Sequence, residues 1–163
     1  MIEKVTGQPL AEVFQQRIMA PLKLTNSYLL NPEQAATPTV YYEHTRLERL
    51  KFLMSSGASG GGMTTARDLV RFMRAFVTGE LFSIKDFKDV TGYRPLQASF
   101  GSIHYDAGFM RIGGMLGHTG SAGAFVFYYP EVDTYLVGDF NQMSKPSLPL
   151  LAVIQIAKIL EKN

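Results

Sequence analysis

The chain has 163 residues, 46% of them hydrophobic and 18% charged, with 11 Phe, 8 Tyr, no Trp and no Cys. This composition excludes a disordered or collagen-like chain, and the lack of cysteine excludes a disulfide scaffold, a thiol nucleophile and a thiolate metal site. The formal net charge of +2 is dispersed along the chain and leaves no electrostatic footprint for nucleic acid.

No apolar run approaches the roughly 18–20 residues that a membrane span requires. The N-terminal MIEKVTGQPL lacks the basic and apolar regions of a signal peptide, and nothing else in the sequence names a compartment. Met1 leads directly into a helical segment, which points to a domain fragment. Between Pro9 and Ala20, the residues Leu10, Val13, Phe14 and Ile18 recur at helical spacing. Pro9 suits a first helical position and Pro21 stops the run. Residues 23–53 show no clear period. Asn31-Pro32 and Thr37-Pro38 mark turns, and Arg46, Glu48, Arg49 and Lys51 read as a solvated face.

The glycine-rich Gly57–Gly62 then feeds a helix. Thr65 and Asp68 have capping-box spacing, with Asp in place of the usual Glu or Gln. Leu69, Phe72, Met73, Phe76 and Val77 follow at helical spacing, and Gly79 is a natural stop. A linker-like region extends to Phe100. Tyr105–Ile112 reads as a short strand bounded by glycines. Ala124–Tyr129 and Thr134–Phe140 are rich in aromatic and β-branched residues, and the polar link Pro130–Asp133 makes them a hairpin. After Pro146 and Pro149, Leu150–Leu160 is apolar on most sides and predicts a buried helix. This order gives an α+β fold, an antiparallel sheet flanked by helices, in a single domain over residues 1–163.

A hydroxyl is a poor nucleophile unless a base accepts its proton, so spacing matters more than residue type. Gly57-x-Ser59-x-Gly61 matches the nucleophile elbow, with Asp89 or Asp106 and then His118 downstream. The elbow needs a strand directly before it and a helix directly after. Leu50–Ser56 is only a marginal strand and the helix starts late, so a flexible loop is the simpler reading. His44, His104 and His118 lack the paired spacing of metal ligands, and Gly60-Gly61-Gly62 is not followed by Gly-Lys-Ser/Thr. No metal and no cofactor is expected. Phe125, Phe127, Tyr128 and Tyr129 read as a strand rather than a base-stacking platform.

The remaining candidate is Gly117-His118-Thr119-Gly120-Ser121-Ala122-Gly123. Its glycines let a backbone approach a ligand, His118 and Thr119 offer polar side chains, and a neighbouring N–H can stabilise an oxyanion. By itself the segment reads first as a glycine-rich turn opening a strand.

Its neighbours change that reading. Ile2–Leu10, Ile18-Met19-Ala20-Pro21-Leu22-Lys23-Leu24-Thr25-Asn26-Ser27-Tyr28, Ser59–Leu69 and Gly117-His118-Thr119-Gly120 occur in one order and spacing. Together they resemble the C-terminal part of the penicillin-recognising serine hydrolases: class C β-lactamases, DD-peptidases and related esterases. The second stretch is similar to the family's "I-x-x-P-L-G-M-x-x-T", with Lys23 where Gly is usual. The third is similar to "A-G-G-L-x-S-T-A-x-D-L", and the last to the K-T-G or H-T-G motif. The resemblance implies that His118, Thr119 and Gly120 bind substrate and that the Ser121 backbone N–H is an oxyanion donor. It implies acyl transfer from a small-molecule or peptide substrate, without a cofactor.

The family's Ser-x-x-Lys is absent. The residues three positions before Lys4, Lys23, Lys51, Lys85, Lys88, Lys145, Lys158 and Lys162 are Met1, Ala20, Glu48, Phe82, Lys85, Gln142, Gln155 and Ile159. Tyr-x-Asn and Ser-x-Asn are absent too. In the family these motifs precede the helix with which this chain begins, so the chain reads as a C-terminal portion, inactive alone. Two alternatives stay open: a non-catalytic peptide- or glycan-binding module on the same fold, and an α/β-hydrolase using Ser59. The family's sheet draws strands from both ends of its chain, which predicts an exposed sheet edge here and a homodimer through it.

Overall fold

The computed structural model describes residues 1–83, 94–95, 103–106 and 108–161. Helix α1 (Ile2–Thr6) ends at Gly7 with φ +69°, and α2 (Leu10–Phe14) runs into a π-helical turn, Gln15–Met19. Pro9 stands one position earlier than expected, as the extended cap of α2. The stretch without a period holds β1 (Tyr28–Leu29), β2 (Val40–Tyr42), β3 (Thr45–Leu47) and α3 (Leu50–Ser56). Strands of two or three residues are too short for an alternation to show. Leu50–Ser56 is a helix and not a marginal strand, because Leu50, Leu53 and Met54 share one helical face and Leu53 is buried. After β4 (Gly62–Met63), α4 spans Ala66–Thr78, with Thr65 as its cap and Gly79 closing it at φ +78°.

The rest of the chain builds an antiparallel meander: β5 (Arg94–Pro95), β6 (Ile103–Asp106), β7 (Phe109–Ile112), β8 (Met115–Thr119), β9 (Phe125–Tyr129) and β10 (Thr134–Gly138). These six strands form one sheet in the order β10-β9-β8-β7-β6-β5. The expected single strand Tyr105–Ile112 is thus two strands turning at Gly108, whose φ of +83° suits glycine. Likewise, Met115–Thr119 is an inner strand and not part of a turn. The linker-like stretch up to Phe100 lies largely outside the described residues.

Helix α5 (Leu148–Leu160) covers one face of the sheet. Its Val153 and Ala157 join Phe125, Phe127, Tyr129, Ile112, Met115 and Leu136 in one core. Phe127 is fully buried, a state worth about 1.5–3 kcal/mol for such a side chain. The Tyr129 hydroxyl lies 2.7 Å from Glu161 Oε1 and 3.0 Å from Glu131 Oε2, tying the end of α5 to the hairpin turn. Those hydrogen bonds, Glu161 foremost, and burial hold its proton well above the ordinary phenol range. The apolar residues on most sides of α5 predict a buried helix over 150–160. Among the described residues one face is covered, and Leu151 and Ile156 are 53% and 36% exposed. Helix α4 packs on the other side of the sheet, where Phe76 meets Phe109 at 4.1 Å between ring centroids and Arg74 lies over Tyr135. The architecture is α+β, helices on both faces of an antiparallel sheet.

Lys23 explains its own oddity. Its φ is +54°, the left-handed region that glycine enters freely and lysine at a cost. The loop is held there by Arg71, whose Nη1 donates to the Lys23 carbonyl at 3.0 Å.

Asp68 does more than cap a helix. Thr65 Oγ1 accepts from the Asp68 N–H at 3.3 Å, but the Asp68 carboxyl does not return the bond. Its Oδ2 instead accepts from the Asn26 N–H at 2.8 Å and from Ser27 Oγ at 3.0 Å, with the residue 3% exposed. This joins the 24–28 turn to the start of α4, and both segments line the cleft described below. Asp68→Ala strands the Asn26 N–H, while Ser27 Oγ keeps Thr64 Oγ1 at 2.7 Å, so it is expected to lower stability by about 1–3 kcal/mol. Urea denaturation measures this, and an unchanged midpoint contradicts the role given to Asp68.

Candidate functional site

A cleft of about 820 Å³ opens at the C-terminal end of β8. One wall is His118, Thr119, Gly120, Ser121 and Ala122. The facing walls come from Asn26 and Tyr28, from Thr64 and Thr65 before α4, and from Arg49, Phe52, Ser56 and Ser59 along and after α3.

The strand that carries the first wall is placed by a close approach. A Cβ at Gly117 would collide with the Val126 carbonyl oxygen and lie 2.6 Å from the Phe127 ring. Only glycine lets β8 pair with β9 in this register, His118 opposite Val126 and Thr119 opposite Phe125. The chain then turns tightly. The Gly120 N–H donates to the Ala124 carbonyl at 2.7 Å and the Gly123 N–H to the Gly120 carbonyl at 3.1 Å. Gly123 adopts φ +105°, and the Phe140 N–H donates to its carbonyl at 3.3 Å. The turn is therefore pinned at both ends, leaving Ser121 at its exposed tip. The Ser121 N–H makes no hydrogen bond among the described residues.

His118 is more constrained than its motif suggests. Its Nδ1 lies 2.6 Å from the Thr119 carbonyl oxygen and its Nε2 lies 3.1 Å from the Tyr105 hydroxyl. A carbonyl only accepts, so Nδ1 carries a proton, and Nε2 shares its hydrogen bond with the Tyr105 hydroxyl. Both ring nitrogens are engaged, and His118 frames the wall more than it offers a free base. Thr119 is half-buried, and its hydroxyl makes no hydrogen bond among the described residues, so it is available to a ligand.

Ser59 also borders the cleft, but in the wrong setting for an elbow. It sits in a 3-10 turn, Gly57–Ser59, that follows a helix and not a strand. Its hydroxyl donates to the Ser56 carbonyl at 2.6 Å. Among the described residues no base meets the Ser59 hydroxyl, and the elbow reading is corrected because the turn follows a helix and not a strand. Asp89 lies outside the described residues, as does the side chain of Asp106. Among the described residues, no three His, Asp or Glu side chains converge as a metal site would require.

Two residues were missed from the sequence. Tyr105, on β6, is brought to His118 by the sheet over a separation of 13 residues. The charged run that holds Arg49 reads as a solvated face, yet Arg49 is half-buried at the cleft, with Nη2 3.4 Å from Ser121 Oγ and the guanidinium 5.9 Å from the Phe52 ring centroid. Nothing in its local pattern distinguishes it from Arg46, which pairs with Glu48 in solvent at 3.8 Å.

Comparison with known proteins fits this geometry. The family description "Beta-lactamase" matches residues 1–160, without a subclass such as class C. No curated protein matches significantly. Among solved structures, a penicillin binding protein from Bacillus halodurans superposes with a TM-score of 0.72 at 16% identity, over 95% of this chain and 52% of that one. A D-stereospecific amidohydrolase from Streptomyces sp. gives 0.68 at 22% identity, over 88% and 47%. A D-amino acid amidase from Ochrobactrum anthropi SV3, complexed with L-phenylalanine amide, gives 0.59 at 19% identity, over 96% and 54%. These likenesses establish the shared fold, and the chain spans about half the length of each of these three structures. With nearly its whole length covered by the family description, the chain belongs to the beta-lactamase family.

Proposed function

We propose that this chain is the C-terminal portion of a serine acyl hydrolase and supplies the substrate-binding wall of its cleft. The observation that carries this reading is the placement of Thr119, Gly120 and Ser121 along one side of the 820 Å³ cleft, on a turn pinned by its own hydrogen bonds. In this reading Thr119 Oγ1 holds a substrate carboxylate or amide, and Gly120 lets the substrate lie close to the strand. The Ser121 N–H faces the carbonyl oxygen as it gains charge. Removing a comparable donor elsewhere costs about 2.7–4 kcal/mol of barrier lowering. His118 fixes the wall through its bonds to Thr119 and Tyr105.

The reaction is attack of a serine hydroxyl on an amide or ester carbonyl, loss of the amine or alcohol, and hydrolysis of the acyl-enzyme. The attacking serine and its lysine do not belong to these 163 residues, since no Ser-x-x-Lys occurs in them. The chain alone is inert. A histidine stands at 118 in place of the lysine of K-T-G, with both ring nitrogens hydrogen-bonded, which favours a peptidase, amidase or esterase over an efficient β-lactamase. The names of the amidohydrolase and amidase neighbours support amides of D-amino acids as the substrate class.

Treatment with a fluorescent penicillin and a fluorophosphonate, followed by intact-mass spectrometry, is expected to leave the chain unmodified. N-acetyl-D-phenylalaninamide is expected to bind saturably and reversibly, and Thr119→Val to weaken it by roughly 3–10-fold. An adduct on Ser59, or binding indifferent to Thr119, contradicts the reading. Binding without turnover after the missing half is supplied marks a non-catalytic peptide- or glycan-binding module instead.

The sheet edge adds a second proposal, a homodimer. Strand β10 ends the described sheet with one side unpaired, and Leu151 and Ile156 of α5 are exposed elsewhere on the surface. An open strand edge favours pairing with a second copy. Sedimentation equilibrium is expected to show a concentration-dependent dimer, and a monomer at the highest soluble concentration contradicts it.

A further inference from the structure

Helix α4 packs one side on the sheet and turns the other to solvent. Its outward row is Arg67, Arg71 and Arg74, all exposed. At 3.6 residues per turn, positions i, i+4 and i+7 fall within about 60° of one another, and the row runs for about 10 Å. The acidic residue of α4, Asp68, is buried and engaged by the Asn26 N–H and Ser27 Oγ. No carboxylate lies within ion-pairing distance of the three arginines among the described residues, whereas Arg46 has Glu48. Like charges one turn apart repel, so the row is a cost to the helix.

Two of the three guanidiniums are held in place. Arg71 Nη1 donates to the carbonyls of Lys23 at 3.0 Å and Leu22 at 3.4 Å, and Arg74 lies 5.5 Å over the Tyr135 ring. These contacts use one nitrogen of Arg71 and one face of Arg74, and leave the other N–H edges to a ligand. The Arg71 bonds also bring a fourth cation beside the row. Lys23 is exposed and stands at φ +54°, where glycine is at ease and lysine is strained. A charge kept at a strained position beside three like charges points to an anionic partner that gains from it.

The surroundings of the row decide which anion. The aromatic ring beside it, Tyr135, is covered by Arg74 and stacked on Tyr128, which leaves no platform for a nucleic-acid base. None of the four cations lines the cleft, so what they meet is a surface and not a small ligand held there. Four basic residues gathered on an amphipathic helix and its neighbouring turn match the charge pattern that anionic lipid attracts. We propose that the outward face of α4, with Lys23, docks on an anionic phospholipid bilayer through guanidinium contacts to lipid phosphates. The surface is separate from the cleft and does not rest on the hydrolase reading.

Vesicle flotation of the full chain at low ionic strength tests this. Vesicles of phosphatidylglycerol and phosphatidylcholine in equal parts are compared with phosphatidylcholine alone. The wild type is expected to float with the anionic vesicles only, and to be released as NaCl is raised. Replacing Arg67, Arg71 and Arg74 together by Gln is expected to weaken partitioning by about 100-fold, at about 5-fold per charge. A control with Lys4→Gln, Arg46→Gln and Lys158→Gln removes as many charges elsewhere and is expected to stay within about 5-fold of the wild type. Lys23→Gly, which leaves α4 intact, is expected to raise the melting temperature while weakening partitioning by about 5-fold. That variant keeps the test decisive if the triple variant is destabilised. Equal flotation with both kinds of vesicle, or with neither, overturns the proposal. So does a control that loses as much as the α4 variant, or Lys23→Gly partitioning like the wild type. Tighter binding to poly-L-glutamate or single-stranded DNA than to the anionic vesicles overturns the choice of lipid as partner.

Discussion

The approach of β9 to Gly117 is the constraint on which the site depends. With no Cβ at that position, the Phe127 ring lies across β8 and the two strands pair through Thr119. Any larger residue would push β8 away or break the register, and a one-residue slip would turn every side chain to the opposite face. The order of His118, Thr119 and Gly120 along the cleft thus follows from a packing contact two strands deep in the sheet. The glycine that looks like part of a binding motif is a structural necessity.

The opposite side of the cleft is held by polar atoms. A single buried carboxyl, Asp68, fixes the 24–28 turn against the N-terminus of α4, so Asn26, Tyr28, Thr64 and Thr65 arrive together. One wall is placed by close packing and the other by a hydrogen-bonded acid. Between them sits a cleft with one guanidinium, a half-buried threonine and an unoccupied backbone donor. That inventory suits binding and charge stabilisation, and it contains no activated nucleophile.

Legibility in the sequence followed the length of each signal. Helix α4 was readable because its cap, apolar spacing and terminal glycine extend over 13 residues, and the β9–β10 hairpin because two aromatic strands flank a short polar link. Strands β1 to β3 were not, since two or three residues cannot display an alternation. Strand β8 was hidden because Gly117 and Gly120 read as turn residues until Phe127 is seen to fill the space above one of them. The motif His118-Thr119-Gly120 was found by resemblance, and its partners were not. Tyr105 and Arg49 reach it only through the tertiary fold, and Arg49 sits in a charged run whose other members face water.

The central claim is that the backbone at Ser121, flanked by Thr119 and Arg49, is a ligand-binding wall. Nuclear magnetic resonance of the ¹⁵N-labelled chain, titrated with N-acetyl-D-phenylalaninamide, tests it most directly. The account predicts saturable shifts concentrated at the Ser121, Thr119 and Gly120 amides and at the Arg49 side chain. Shifts absent from that segment, or gathered on the opposite face of the sheet around α5, would contradict it.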